Sequence, residues 1–583
     1  MTRAQSGQSS QPPVSLQLDA LRDAYANGLR PSQLVPEILK RIDAGPAVAW
    51  VARFDRAELL RRARALDARH GERDRLPLYG VPVAVKDNID VQGLPTAAGF
   101  PDSARVARNS APVVSQLIAA GALPIGKTHL DQFATGLVGT RNPAGPCPNA
   151  VLPEYISGGS SSGSALVTAL DQVSFALGTD TAGSGRVPAA LNGLVGVKPT
   201  RGLLSARGVV PACRSLDCVS IFAKTTADAR AILSVTAVYD PVDAFARPRP
   251  RLAATANHRS DELSHFTFGV PRTESLELDA GFTRLWQQAI HRLEEAGGRS
   301  VEIDFRPYDG PWLAERFISV TDWLLQSTGR GKKKQVSAAE LFAPLFPVTR
   351  AILMAGDQAG AVDAFRAQYR LTELRRKIER SVERAGLDFV LTPTIARAYT
   401  IAQVEADPIA TNSDLGLYTN FMNLLDLAAV AVPAGQRRDG LPWGVTLFAA
   451  AGSDHRLLDF ARLLEAQAAK RPAKRSHAAS AAVELPPPAD EDRLGELEPI
   501  VVCGAHMAGM ALNWQLLERG GRLICKTRTA PEYRFFALPG DVPRPGLIRL
   551  DESDDAALAQ FEPALRRAIR RGEGVEVWGL PRG

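Results

Sequence analysis

The most constraining feature of this sequence is an apolar run that passes directly into a glycine-rich turn and then into a proline. Residues 173–189 read VSFALGTDTAGSGRVPA, in which the apolar run predicts a buried strand and Pro188 marks the start of a helix. A serine on such a turn is accessible to a substrate, and consecutive backbone NH groups can converge there on an oxyanion. The string makes Ser184 a candidate nucleophile, while a purely structural tight turn is the alternative.

Alternation of short and long segments extends over most of the chain and predicts an α/β fold. Between Leu78 and Gly452, short Val/Ile/Leu-rich runs bounded by Gly and Pro alternate with longer amphipathic stretches, such as residues 361–385. A chain of 583 residues with 45% hydrophobic and 23% charged residues is long enough for a large catalytic domain and an appendage.

Changes in composition divide the chain into four parts. Residues 1–14 are polar and predict a disordered tail, whereas residues 15–469 form the main domain. Residues 470–499 combine a basic start, a Pro triplet and an acidic end without apolar periodicity, which is typical of a linker. Residues 500–583 contain short strand-like runs and a late helical segment, and they predict a second, small domain.

Two further strings in the main domain carry residues of chemical interest. LYGVPVAVKDN (78–88) predicts a strand that delivers Lys86 at its end, although a lysine can also mark a strand leaving the core. SGGSSSGS (157–164) runs directly into an apolar helical segment, so it predicts a glycine-rich loop that opens a helix. A flexible surface linker is the alternative interpretation of the second string.

Together the three strings resemble the amidase-signature family, whose pattern is a lysine on a strand, a GGSSGGS loop and a GTDTGGSxRxP turn. The separations here, 160 − 86 = 74 and 184 − 160 = 24, match the family spacing, and the resemblance covers about residues 17–465. It implies a large mixed sheet covered by helices. Two departures are Ser162, where the family usually has Gly, and Ala182, where many members have Gly.

The resemblance implies an amidohydrolase for linear amides, with Ser184 as nucleophile, Ser160 as proton relay and Lys86 as general base. Lys86 can act as a base only when neutral, so its pKa must fall from about 10.4 towards about 7. The family also implies a cis peptide at Gly159–Ser160. The predicted oxyanion hole consists of the backbone NH groups of Thr181, Ala182, Gly183 and Ser184.

Asp180 and Arg186 flank the predicted nucleophile and are assigned a supporting role, as an ion pair that braces the turn.

Other strings indicate the amide that is cleaved. YDGPWLAER (308–316) and the DTAGSGR form of the turn resemble the allophanate hydrolase family, in which a Tyr and an Arg hold the substrate. Tyr308 and Arg316 are the corresponding residues, and a planar guanidinium suits a small anionic amide with a carboxylate. The implied reaction releases ammonia and N-carboxycarbamate, whose decarboxylation yields carbon dioxide, as part of urea degradation and nitrogen metabolism.

The second domain resembles the appended domain of the same enzymes, a small α+β cyclotransferase-like barrel. Its strings VVCGAHMAGMALNWQ (501–515), TAPEYRFFAL (529–538) and PGLIR (545–549) carry that resemblance, which implicates His506 in the decarboxylation step. A structural role for His506 remains open. Two alternatives also remain open: an amidase for biuret, malonamide or glutamine amides, and a second domain that serves only assembly or binding.

The remaining expectations concern partners and location. A net charge of +6, from 69 basic and 63 acidic residues, does not favour nucleic-acid binding. The absence of a long apolar run or an N-terminal apolar region predicts a cytoplasmic protein without a membrane segment. Five cysteines without a CxxC pair do not favour disulfides or structural zinc, and no cofactor or metal is expected. The resemblance implies a homodimer and a urea carboxylase partner, with cyanuric acid or biuret breakdown as another substrate source.

Overall fold

The structure is a computed structural model. It describes residues 14–247, 263–303, 319–322, 324, 326, 337–357 and 360–469, together with five strands between residues 497 and 581. Tyr308, Arg316 and His506 lie outside the described residues, as do the predicted tail, up to residue 13, and residues 470–496 of the predicted linker. The chain divides into two units, Met1–Ala478 and Ala479–Gly583.

Among the described residues of the first unit, eleven strands form one mixed sheet and two short strands form a separate pair. The strands are β1 (Trp50–Arg53), β2 (Pro82–Lys86), β3 (Pro95–Thr96), β4 (Arg105–Val106), β5 (Leu123–Thr128), β6 (Phe175–Asp180), β7 (Val195–Lys198), β8 (Cys218–Ala223), β9 (Phe266–Pro271), β10 (Gly298–Ile303), β11 (Phe389–Pro393), β12 (Leu427–Gln436) and β13 (Pro442–Ala450). The order in the large sheet is β1-β5-β2-β6-β8-β7-β12-β13-β11-β9-β10, and β3 pairs with β4. The predicted α/β fold with a large mixed sheet is confirmed.

Helices pack on this sheet and complete the layers. The described α-helices are Leu18–Ala26, Pro31–Asp43, Arg56–Asp67, Pro112–Ala119, Ser162–Ala169, Val187–Leu191, Thr226–Thr236, Ala280–Glu295, Ala338–Phe342, Pro347–Gly356, Ala361–Ala385, Ile401–Ala406, Ala410–Gly416, Asn420–Leu424 and Asp454–Ala469. The helix predicted at 361–385 is confirmed, and it ends at Gly386 in the left-handed conformation that favours glycine.

The central strands are buried on both faces and do not alternate between buried and exposed residues. All residues of β2 and β6 are buried, including Ala84 between Val83 and Val85. Layers on both sides of a strand remove the requirement for alternation, because neither face meets water. The short apolar runs of the sequence are therefore strands of the sheet interior.

The topology brings the end of β2, which carries Lys86, and the end of β6, which leads to the Ser184 turn, to the same edge of the sheet. Strands β2 and β6 are neighbours and run parallel, with Val85 opposite Leu177. Lys86 therefore ends β2 beside the last residues of β6, where the glycine-rich turn begins. Helix Ser162–Ala169 contacts β2, β5 and β6, so the glycine-rich loop before it reaches the same edge.

The described part of the second unit consists of five strands. They are β14 (Leu497–Val502), β15 (Arg522–Arg528), β16 (Tyr533–Leu538), β17 (Arg544–Arg549) and β18 (Gly574–Pro581). Strand β18 lies between β14 and β15 and is antiparallel to both, while β16 and β17 form an antiparallel pair. The predicted helical segment lies outside the described residues, and the barrel remains a prediction.

The state of the cysteines and the character of the helices can be described for the part of the chain that the structure covers. Cys147, Cys213 and Cys218 are buried free thiols. Within the same part of the chain, none of the helices combines the length and the apolar character needed to cross a bilayer.

A buried carboxyl group beside the first helix gives the fold a pH dependence that can be measured. Asp228 lies in helix Thr226–Thr236, and burial raises the pKa of its carboxyl to about 6, although hydrogen bonds from the Leu18 backbone and Thr225 oppose the shift. Because the protonated form is favoured in the fold, this group's stabilising contribution is full below about pH 4 and is lost as pH rises through about 6.

We expect Asp228→Asn to raise the free energy of unfolding at pH 8 by up to about 3 kcal/mol, because the amide carries no charge to desolvate. Near pH 4 the variant and the parent protein should unfold at the same urea concentration. Urea titrations followed by tryptophan fluorescence at the two pH values measure the difference. An equal effect at both pH values would contradict this account.

Candidate active site

Lys86 ends β2 with its side chain fully buried and its amine held between two hydroxyl groups. Its Nζ lies 2.7 Å from Ser160 Oγ and 2.7 Å from Thr179 Oγ1. Asn88 Nδ2 also approaches Thr179 Oγ1, at 3.4 Å, and donates to the Val210 carbonyl at 3.2 Å. A neutral amine in this position can accept the Ser160 proton while donating to Thr179, which is the geometry that a general base requires.

The loop that carries Ser160 is tied to the segment that follows β5. The Asp131 amide donates to the Ser160 carbonyl at 3.1 Å, and the Gly159 amide donates to the Leu137 carbonyl at 2.7 Å. The Gly159–Ser160 peptide is cis. A side chain at position 159 would collide with the Asp131 carboxylate, so glycine is required there.

The Asp131 carboxylate in turn organises the next loop. It accepts hydrogen bonds from the backbone amides of Gly139, at 3.0 Å, and Arg141, at 2.9 Å. This arrangement holds the loop that contains Gly136, whose carbonyl oxygen accepts a hydrogen bond of 3.4 Å from Ser184 Oγ. Asp131 therefore connects the two loops, with its backbone amide bonded to the Ser160 carbonyl and its carboxylate bonded to the loop that contacts Ser184.

Ser184 lies on the turn between β6 and helix Val187–Leu191, as the sequence predicted. Gly183 adopts a φ of +133°, a conformation available mainly to glycine, and a side chain there would collide with Thr419. The Gly183 amide donates to Asp180 Oδ1 at 2.9 Å. This amide is therefore not available as an oxyanion donor, and the predicted set is reduced to Thr181, Ala182 and Ser184.

Asp180 and Arg186 form a bidentate ion pair that is completely buried. Arg186 Nε and Nη2 each lie 2.9 Å from an Asp180 oxygen, and the Asp180 carboxylate also accepts hydrogen bonds from the Gly183 and Gly185 amides. Burial by itself would raise the pKa of Asp180, but the Arg186 guanidinium outweighs it and keeps that pKa below its ordinary value. The pair thus braces both ends of the nucleophile turn, in agreement with the supporting role inferred from sequence.

Arg186 also anchors the turn to a distant segment. Its Nη1 donates to the Thr419 carbonyl at 3.0 Å, and its Nη2 donates to Asn423 Oδ1, also at 3.0 Å. The Asn423 amide group donates to the Asp180 carbonyl at 2.8 Å, and Thr419 Oγ1 donates to the Ala182 carbonyl at 2.8 Å. These contacts join residues that are more than 230 positions apart in the chain.

Sequence reasoning did not single out Thr179, Asp131 or Thr419. Thr179 had a detectable signal, because it is a polar residue near the end of an otherwise apolar strand. Asp131 lies three residues after the end of β5, and a buried carboxylate just beyond a buried strand is another such signal. Thr419 lies within residues 17–465, which the family resemblance covers, but its contact with the turn is visible only in the tertiary structure.

A cavity adjoins Ser184. It is lined by Ala134, Thr135, Gly136, Leu137, Arg141, Ala182, Ser184, Ile352, Asn412 and Asn420. The lining mixes backbone, amide and apolar groups with one buried guanidinium, a composition that suits a short polar amide. Tyr308 and Arg316 lie outside the described residues, and their role in holding the substrate stays a prediction.

The mixed sheet, the buried contact of Lys86 with Ser160 and the glycine-rich turn that carries Ser184 are the features expected of an amidase. The amidase family matches residues 33–458, and the chain belongs to that family. Residues 498–582 match the allophanate hydrolase C-terminal domain.

Similar proteins extend the comparison over both units. A urea amidolyase of Saccharomyces cerevisiae is 39% identical over 526 residues, which are 88% of this chain and 28% of that protein. A urea amidolyase of Lachancea kluyveri is 38% identical over 86% of this chain and 27% of that protein. The crystallised Kluyveromyces lactis allophanate hydrolase is 33% identical, with a TM-score of 0.69, over 97% of this chain and 89% of that one. The chain thus spans less than a third of each urea amidolyase.

Proposed function

We propose that this protein is an allophanate hydrolase that converts allophanate and water to ammonia and N-carboxycarbamate, which then loses carbon dioxide. The observation that carries the proposal is the buried contact of 2.7 Å between Lys86 Nζ and Ser160 Oγ, in which Lys86 also contacts Thr179 of β6, the strand that leads to Ser184. It supplies the base and relay for amide cleavage without a histidine. The likeness to an allophanate hydrolase over both units supports the choice of amide.

In the first half of the reaction, Ser184 Oγ attacks the terminal amide carbon of allophanate. Its proton passes to Ser160 Oγ while the Ser160 proton passes to Lys86 Nζ. The amides of Thr181, Ala182 and Ser184 stabilise the oxyanion of the tetrahedral intermediate. The C–N bond then breaks, and the proton held by Lys86 returns through Ser160 to the leaving nitrogen, so that ammonia departs and an acyl-enzyme remains.

In the second half, water attacks the acyl carbon and gives its proton to the same relay. The ester bond to Ser184 breaks, Ser184 recovers its proton, and N-carboxycarbamate is released. One lysine and one relay serine thus move protons in both directions, which is how an acid and base pair serves consecutive acyl transfers. The hydrolysis consumes one water for each allophanate that is cleaved.

Substrate binding and the second reaction rest on the family resemblance. Tyr308 and Arg316 are proposed to hold the carboxylate end of allophanate, because a guanidinium pairs with a carboxylate in a bidentate manner. The second domain is proposed to be a small cyclotransferase-like α+β barrel, in which His506 takes part in decarboxylation. The strands β14 to β18 are compatible with such a domain.

The wider proposals follow from the same resemblance. We propose the division into an amidase domain at 15–469, a linker at 470–499 and a second domain at 500–583. A urea carboxylase activity is proposed to supply the substrate, and the likeness to urea amidolyase supports this association. The protein is proposed to be a cytoplasmic homodimer.

The test of the function is ammonia release from allophanate, biuret, malonamide, glutamine and urea at equal concentration. We expect kcat/KM for allophanate to exceed that for every other amide, because only allophanate offers a carboxylate next to the scissile urea-type amide. A preference for glutamine would instead favour the activity of a tRNA-dependent amidotransferase. Equal rates on all five would overturn the substrate assignment while leaving the catalytic residues in place.

Deleting the residues after Glu484 separates the two proposed steps. We expect ammonia release by the truncated chain to persist while the yield of carbon dioxide per ammonia falls at early times, because N-carboxycarbamate then decays only in solution. Carbon dioxide is measured by a coupled assay and the oligomeric state by light scattering. An unchanged carbon dioxide yield with an altered oligomeric state would favour an assembly role for the second domain.

A further inference from the structure

Ser162, one of the two departures from the family pattern, lies in a hydrogen bond with a histidine that the proposed mechanism does not use. Ser162 Oγ lies 2.8 Å from Nδ1 of His129, and both side chains are completely buried. His129 directly follows β5, and Ser162 is the first residue of the helix that begins after the relay loop. The pair therefore joins a strand of the central sheet to the loop that carries Ser160.

The second ring nitrogen determines the direction of this hydrogen bond. His129 Nε2 lies 2.9 Å from the Gly145 carbonyl oxygen, which can only accept, so Nε2 carries the proton. In the neutral ring, Nδ1 then has a lone pair and accepts the proton of the Ser162 hydroxyl. Burial lowers the pKa of His129, although the Gly145 carbonyl and Asp131 oppose the shift, and this favours the neutral ring.

The pair is one of four contacts that hold two segments side by side. The Asp131 amide donates to the Ser160 carbonyl at 3.1 Å, and the Gly163 amide donates to the His129 carbonyl at 3.1 Å. Thr128 Oγ1 and Ser164 Oγ lie 2.8 Å apart. With the His129–Ser162 contact, residues 128–131 are bonded to residues 160–164 along their length.

The Asp131 amide bonds Ser160 itself through its carbonyl, and the His129–Ser162 bond fixes a side chain two residues beyond Ser160, the serine that touches Lys86. The Ser162 carbonyl also accepts a hydrogen bond of 2.9 Å from Ser157 Oγ, which fixes the other side of the loop. Ser160 Oγ must stay within about 3 Å of Lys86 Nζ for proton transfer, and small displacements of such groups reduce rates strongly.

We propose that His129 and Ser162 are a pair of positioning residues that hold Ser160 in line between Lys86 and Ser184. The proposal rests on the role of Ser160 as proton relay in the proposed function. Neither residue touches the substrate in this account. Their effect is on the proton relay, and not on substrate affinity.

The principal test is Ser162→Ala, with Ser162→Thr as the conservative variant that restores the hydroxyl. We expect kcat for allophanate to fall about ten- to a hundredfold in Ser162→Ala with KM unchanged, and to recover at least in part in Ser162→Thr. A double-mutant cycle with His129→Leu should show that the second substitution adds little to the first, because either one removes the same bond. Additive losses would overturn the pairing.

Ser164→Ala is the matched control, since Ser164 is a buried hydroxyl on the same helix that bonds to Thr128 and to the Leu177 carbonyl. We expect a similar decrease in thermal stability with less than a twofold change in kcat. An equal loss of kcat in Ser164→Ala would indicate general loosening of the helix and would overturn the positioning role.

Labelling by a fluorophosphonate probe separates this inference from the proposed function. The probe reacts with an activated serine whatever the natural amide is, so its rate reports on the relay to Ser184. Slower labelling of Ser162→Ala than of Ser164→Ala supports the positioning role, even if the unaltered protein fails to cleave allophanate. Equal labelling rates contradict the positioning role, even if allophanate is the substrate.

Discussion

Ser184→Ala is expected to lower the rate of ammonia release from allophanate by roughly 10⁴-fold or more while the fold stays intact. Alanine leaves no atom to attack the amide carbon, and the remaining groups can only bind the substrate and polarise its carbonyl. Among the described residues, the Ser184 side chain makes one long hydrogen bond of 3.4 Å, to the Gly136 carbonyl, so its removal should cost little stability. The measurement is steady-state ammonia release together with the urea midpoint of unfolding.

Ser174→Ala is a suitable control for Ser184→Ala. Ser174 precedes β6 and is also buried, but its Oγ has no hydrogen-bond partner in the described structure. We expect full activity in this variant, because its hydroxyl takes no part in the relay. Turnover within tenfold of the parent rate in Ser184→Ala would show that another residue is the nucleophile.

Arg186→Ala is expected to lower the free energy of unfolding by about 3 to 5 kcal/mol, the cost of leaving a buried charge without its partner. Asp180 would keep its hydrogen bonds from the Gly183 and Gly185 amides but lose a bidentate guanidinium, and Thr419 and Asn423 would lose a donor. The loss should shrink as pH falls, because protonation of Asp180 removes the uncompensated charge. The rate of ammonia release should fall as well, since the Asp180–Arg186 pair braces the nucleophile turn.

The matched comparison is Arg376→Ala, which breaks an exposed ion pair with Glu379 on helix Ala361–Ala385. Solvent screens such pairs, so the unfolding free energy should change by less than about 1 kcal/mol. Urea titrations of both variants at pH 5 and pH 8 measure the contrast. Similar small effects for Arg186→Ala and Arg376→Ala would contradict the bracing role of the buried pair.

The candidate catalytic residues were predictable because each lies in a short string whose chemistry is local. A lysine at the end of an apolar strand, a glycine-rich loop before a helix and a serine on a strand-to-helix turn each have a recognisable pattern. The contact of Lys86 with Ser160 was inferred from the family spacing, and the structure has the two atoms 2.7 Å apart. The α/β class followed from the alternation of short apolar and longer amphipathic segments.

The directions in which the backbone NH groups of the nucleophile turn point could not be predicted from a local string of residues. Four consecutive amides were expected to face the oxyanion, but the Gly183 amide points to Asp180 because that carboxylate lies at the start of the same turn. The φ of +133° at Gly183 is a property of one residue in its surroundings, including the Thr419 side chain. A sequence string lists possible donors and does not orient them.

The sequence by itself indicated the fold class through the periodicity of its segments, and its resemblance to the amidase-signature family pointed to Lys86, Ser160 and Ser184 as the candidate catalytic residues. Only the tertiary structure decided which groups support them. Thr179, Asp131, His129 and Arg186 act through contacts between segments distant in sequence, and such contacts depend on strand order and burial. The physical reason is that a hydrogen bond requires two groups within about 3 Å, and no pattern along one segment specifies its partner in another.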